Sequence, residues 1–253
     1  MDLIQFSSLK YYNSCISEEC LYVGMLFHNI TTGERCFKTI KKLSRLEAFD
    51  DEVDIDFFKS YLKSIKDEVE DSIFNYGKEF DLESYIKLFV NELRFSKIII
   101  TETDDPKFTA NMSKLYLKFD YEKRERMNNK QEKKYIDQIL SNASINYSKI
   151  PMLGSYDEKI RYDFQTDKYA IKVFYFKDKD LIRLMSSAKA WSFSAEEMRE
   201  KLQTVFLYDL DVLNSPNFKS IINVLKKNAK VMTVQDGLDF ILSKSASIWP
   251  SIV

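Results

Sequence analysis

The chain has 253 residues, 45% of them apolar, with nineteen Phe and fifteen Tyr, which is enough to build a core and too much for a disordered polymer. Its 38 basic and 39 acidic residues leave a net charge of −1, so no global attraction to nucleic acid or to a membrane surface is expected. Five Gly and four Pro leave few places where backbone can press against a phosphate, which weighs against a nucleotide cradle. Residues Asp2 to Tyr12 are mixed in character, and Leu21 to Ile30 reads as a short buried strand. The turn Thr31-Thr32-Gly33-Glu34 predicts a hairpin that returns over Arg35 to Ile40. Ile55, Phe58, Leu62, Ile65 and Val69 recur every three or four residues, the stripe of a helix capped by Asp54.

Asp81 is read as the cap of a second helix that turns Tyr85, Leu88, Phe89 and Leu93 inward. Ser96 to Thr101 is a buried strand, and Asp104-Asp105-Pro106 leads into a helix with the stripe Phe108, Met112, Leu115 and Phe119. The polar run from Ser141 to Tyr156, with Pro151 and Gly154, marks a linker over residues 141–158 between an α+β domain (1–140) and an α/β domain (159–253). In the second domain, Ile160 to Phe164 and Tyr169 to Phe176 are expected to form a hairpin. Helices follow over 180–190 and 195–203, with Trp191 and Phe193 between them. Strands at Thr204 to Tyr208 and Lys230 to Val234 alternate with helices around Phe218 to Leu225 and Gln235 to Leu242, after a turn at Asn214 to Asn217. This order predicts a mixed sheet flanked by helices, and an α/β protein as a whole.

Asp163 and Lys172 are the candidate catalytic pair. Metal-dependent nucleases of the PD-(D/E)xK type place an Asp on one strand and acid-x-Lys on the next, so that two carboxylates hold Mg²⁺ and the Lys activates water. Here the second strand reads Ala170-Ile171-Lys172, and the second acid is missing; Asp157, Glu158 and Asp167 are the nearby carboxylates that would have to replace it. Cys15, Cys20, His28 and Cys36 lack the paired spacing of a zinc site, and no GxSxG surrounds a Ser. No metal and no cofactor is therefore assigned. Residues 122–134 hold Lys123, Arg124, Arg126, Lys130, Lys133 and Lys134 against Glu122, Glu125 and Glu132. Interleaved charges of this kind favour a solvated helix face over a phosphate-binding strip. The odd cysteine count, the absence of a signal-like start and of any long apolar run lead to the expectation of a cytoplasmic protein with no membrane span.

Three stretches carry a family resemblance: Glu19-Cys20-Leu21-Tyr22-Val23-Gly24-Met25-Leu26-Phe27, Asp54 to Ile65, and Ser96 to Pro106. On these the first half resembles the bacterial family called domain of unknown function 3037, with Tyr22 where that family usually has Asn. The resemblance implies a bacterial cytoplasmic accessory protein, in a phage-defence or toxin–antitoxin setting, and implies no reaction. The second half resembles degenerate restriction-endonuclease-like folds in outline. Two functions are thus expected: a non-enzymatic protein with a protein partner, or a nucleic-acid binder or Mg-dependent nuclease built on Asp163 and Lys172.

Overall fold

The computed structural model describes residues 1–14, 19–71, 80–143, 145–176, 180–209 and 218–245. The chain is α/β and divides into two compact units, one holding Met1–Tyr135 together with the chain from Leu242 onward, the other Ile136–Ile241.

The first unit is built on one long strand. Residues of mixed polarity at the amino terminus form β1 (Asp2–Tyr11), which pairs antiparallel with β2 (Leu21–Asn29), β4 (Leu93–Phe95) and β5 (Ile99–Thr103). β3 (Arg35–Thr39) pairs with β2 on the other side. The expected β2–β3 hairpin is present, and Gly33 takes the left-handed φ of +75° that its turn requires. Helix α2 (Ile55–Glu70) begins where Asp54 accepts the N–H of Phe57 at 2.9 Å. Its stripe Phe58, Leu62, Ile65 and Val69 packs against Leu9, Tyr11, Leu21, Val23 and Phe37 on one face of the sheet. Each such side chain contributes about 1.5–3 kcal/mol on full burial. α1 (Ser44–Phe49) adds Leu46 to this core. α4 (Phe108–Tyr116) brings Phe108 into edge contact with Phe6 and Phe27.

Two sequence expectations change in this unit. The helix after Asp81 is only α3 (Leu82–Ile86), Leu88 is exposed, and Leu93 lies on β4 opposite Tyr11. Pairing with the long strand β1 overrides the four-residue period. Phe119 is not on α4 but on a 3-10 turn, Lys118–Asp120.

In the second unit, α5 (Asn129–Asn142) crosses the division between the units and buries Ile136, Ile139 and Leu140. Of residues 141–158, read as linker, the first two still belong to α5, and the stretch further on carries β6 (Met152–Leu153), which pairs with β7 (Lys159–Ile160), and a bridge from Ser148 to Gln165. The main sheet has the order β11-β10-β9-β8. β9 (Tyr169–Phe174), β10 (Gln203–Tyr208) and β11 (Lys230–Thr233) run parallel, and β8 (Phe164–Gln165) is antiparallel at the edge. α6 (Leu181–Glu197) is one continuous helix, where two were expected; Trp191 sits within it and packs towards the sheet. α7 (Lys219–Lys226) lies beside α6, against Phe174 and Phe206. α8 (Val234–Ser245) follows β11 directly and touches Leu207 at Gly237, so closely that a Cβ there would collide. The turn expected at Asn214 to Asn217 lies outside the described residues.

Candidate functional site

Asp163 and Lys172 do come together. β8 meets β9 through Phe164 opposite Ile171 and Gln165 opposite Ala170, and the chain leaves the ladder at Asp163. The N–H of Asp163 still donates to the carbonyl of Ile171 at 2.8 Å. Beyond that point the side chain continues what the main chain no longer supplies: Asp163 Oδ2 accepts the N–H of Val173 at 2.8 Å. The same oxygen lies 3.6 Å from Lys172 Nζ, with the two side chains 14% and 21% exposed.

Period two along β9 turns Ala170, Lys172 and Phe174 towards α6, and Ile171 and Val173 the other way. Lys172 Nζ accordingly sits 4.7 Å from the centre of the Trp191 ring and donates to the carbonyl of Arg161 at 3.3 Å. A cation over an indole face contributes about 0.5–2 kcal/mol, depending on desolvation. Three contacts of different kinds therefore fix this ammonium.

Ala170, where an acid would be needed, is fully buried and packs with Ile160, Tyr162 and Met198, with Trp191 alongside. Tyr162 closes this corner through a 3.2 Å hydrogen bond between its hydroxyl and that of Thr204, and burial raises its pKa. The acids nearby in sequence are Asp157, Glu158 and Asp167. Glu158 accepts the N–H of Tyr156 at 3.0 Å. Among the described residues, no three His, Cys, Asp or Glu side chains converge so as to hold a metal ion, Asp157 and Asp167 included. A single carboxylate with a Lys beside it is a poor Mg²⁺ site.

Cys20, His28 and Cys36 belong to no cluster of three metal-ligating side chains among the described residues. Cys15 lies outside the described residues. Cys36 stands opposite Phe27 on the β2–β3 ladder, and burial raises the pKa of its thiol. The ring of His28 meets Phe80 edge-on at 5.5 Å.

Sequence reasoning missed two features here. Trp191 is the floor under Lys172, which its position between two supposed helices concealed. Glu197, near the end of α6, has both carboxylate oxygens buried with no hydrogen-bond partner among the described residues. A pattern also recurs across the fold. Glu70 accepts the N–H of Phe37 on edge strand β3 at 2.9 Å, and Asp209 accepts the N–H of Phe176 beyond the end of β9 at 3.0 Å. Carboxylates at strand edges and ends serve this fold as acceptors for main-chain N–H groups.

Among the described residues, no helix is long and apolar enough to cross a membrane. No family model matches the chain, and neither a curated protein nor a solved structure matches it.

Proposed function

We propose that this chain is a non-catalytic binding protein, and that the Asp163–Lys172 corner belongs to its framework. The observation that carries this reading is the 2.8 Å hydrogen bond from Val173 N–H to Asp163 Oδ2. Asp163 Oδ2 is engaged by this N–H and approached by Lys172 Nζ, which makes it a strand-end acceptor in this fold. The buried Ala170 supports the same reading, because no second carboxylate approaches from that strand position. Exposed Ile150, Leu153 and Tyr156, three large apolar side chains within seven residues around β6, support a contact surface for a protein partner. The setting implied by the resemblance of the first half is a bacterial cytoplasmic accessory system, such as defence against phage or a toxin–antitoxin pair.

The second reading, an Mg-dependent nuclease, is favoured by one observation, the 3.6 Å approach of Lys172 to Asp163. One experiment separates the two. The purified chain is incubated with single- and double-stranded DNA and RNA in the presence of Mg²⁺ or Mn²⁺. The binding reading expects no turnover. Turnover that is lost in both Asp163→Asn and Lys172→Ala, with the fold retained, would establish the nuclease instead.

A further inference from the structure

The charged run 122–134 is not one solvated helix face. Lys123, Arg124 and Glu125 lie on a turn, α5 starts only at Asn129, and Glu132 is buried against Lys118 at 3.1 Å. The turn is instead fastened to a segment about eighty residues earlier. The backbone N–H groups of Lys41 and Lys42 both donate to Asp120 Oδ1, at 2.7 and 2.8 Å. Lys42 Nζ bridges to Glu122 at 3.1 Å. The guanidinium groups of Arg45 and Arg126 lie 4.6 and 5.3 Å from the centre of the Phe119 ring. Arg126 also donates to the carbonyls of Tyr121 and Phe119. Lys38 lies on β3, three residues before Lys41.

These contacts gather cations that are remote in sequence. Lys38, Lys41, Lys42, Lys123 and Arg124 are exposed, against exposed Glu122 and Glu125, so the local surplus is three in a chain whose net charge is −1. The half-buried Asp120 subtracts one charge, which the half-buried Arg45 and Arg126 more than offset. The backbone beneath the cations is pinned, so little ordering would accompany binding.

The composition of the surface selects the partner. None of the exposed large apolar side chains of the described residues falls within 38–45 or 118–126. A protein interface keeps an apolar centre, and a membrane-surface site inserts apolar groups beside its cations. Binding to a phosphate backbone needs neither, because its free energy comes from counterion release. We propose that the surface carrying Lys38, Lys41, Lys42, Lys123 and Arg124 binds the phosphate backbone of nucleic acid, responding to charge rather than sequence. The inference concerns the first unit, and it stands whether or not the Asp163 corner of the second unit is catalytic.

Fluorescence anisotropy with the full chain, a labelled mixed-sequence single strand and its duplex, over a salt series, tests it. Lys41→Glu/Lys42→Glu is expected to weaken binding at least about ten-fold at low salt and to reduce the slope of log K against log salt by about 2, since each phosphate-contacting Lys contributes about 1. Lys123→Glu/Arg124→Glu reproduces the effect from the other segment. Lys226→Glu/Lys227→Glu, an equal charge change on exposed residues of the second unit, leaves binding within about two-fold of wild type, as expected for a site that depends on position and not on total charge. Absence of saturable binding at low salt, equal loss in all three variants, or binding to phosphatidylserine vesicles with nucleic acid ignored would each overturn the proposal.

Discussion

Asp163 stands in for a strand. Where β8 ends, its carboxylate accepts the Val173 N–H at 2.8 Å and so continues the ladder by one rung on the edge of the parallel sheet. Val173 is buried, so without this acceptor its N–H would face a desolvated surrounding. Asp163→Ala is therefore expected to destabilise the chain by about 1–3 kcal/mol, the cost of an unsatisfied buried donor. Asp163→Asn keeps an acceptor oxygen at the same reach and should recover most of that loss. Urea unfolding of both variants checks it.

Restoring the acid of the nuclease pattern should harm the protein rather than activate it. Ala170 has no exposure and lies against Tyr162 and Met198. Ala170→Asp both overfills this cluster and buries a charge, and a loss of about 3 kcal/mol or more is expected. A thermal melt with and without Mg²⁺ reads the result, and Mg²⁺ should not rescue the variant.

The buried pair Lys118–Glu132 gives a prediction for the first unit. Its side chains are 12% and 1% exposed, so removing one partner leaves a desolvated charge. Glu132→Ala is expected to cost about 3–5 kcal/mol, and Lys118→Met combined with Glu132→Leu considerably less. A double-mutant cycle by denaturant unfolding separates the coupling from the burial.

Stability should also depend on Asp137 at acid pH. Burial opposes its ionisation, but hydrogen bonds from Lys149 at 2.6 Å and from the Tyr147 hydroxyl outweigh that and hold its pKa below the usual carboxylate range. A depressed carboxylate stabilises the fold above the unfolded-state pKa, and the contribution is lost as pH falls through the folded value. The stability difference between wild type and Asp137→Asn should be present near neutrality and vanish as the pH falls. Unfolding curves across that range, with Lys149→Ala as a second variant that raises the Asp137 pKa in an NMR titration, test this.

Local signals in the sequence located much of this fold. The stripe from Ile55 to Val69, the Asp54 cap, the Gly33 turn and the alternation of strands and helices after residue 200 all rest on contacts within a few residues. What was not legible depends on pairing across long separations. Leu93 follows a helical period, yet β1 draws it into a strand more than eighty residues away. Asp163 and Lys172 could be picked out as a pair, because a hairpin brings nine-residue separations together. Their chemistry could not, because it turns on the Val173 N–H and on Trp191, whose approach requires α6 to be one helix. The grouping of Lys41 and Lys42 with Lys123 and Arg124 depends on Asp120 holding the two segments, which no local window contains.

Amide hydrogen exchange at Val173, compared between wild type, Asp163→Asn and Asp163→Ala, probes the assignment of Asp163 to the framework at the atom concerned. Val173 N–H is predicted to be protected in wild type and in Asp163→Asn, and to lose protection selectively in Asp163→Ala while Ile171 and Val205 keep theirs. A Val173 amide that exchanges freely in wild type, or is equally protected in Asp163→Ala, would show that the carboxylate is not held by the main chain and would contradict the assignment.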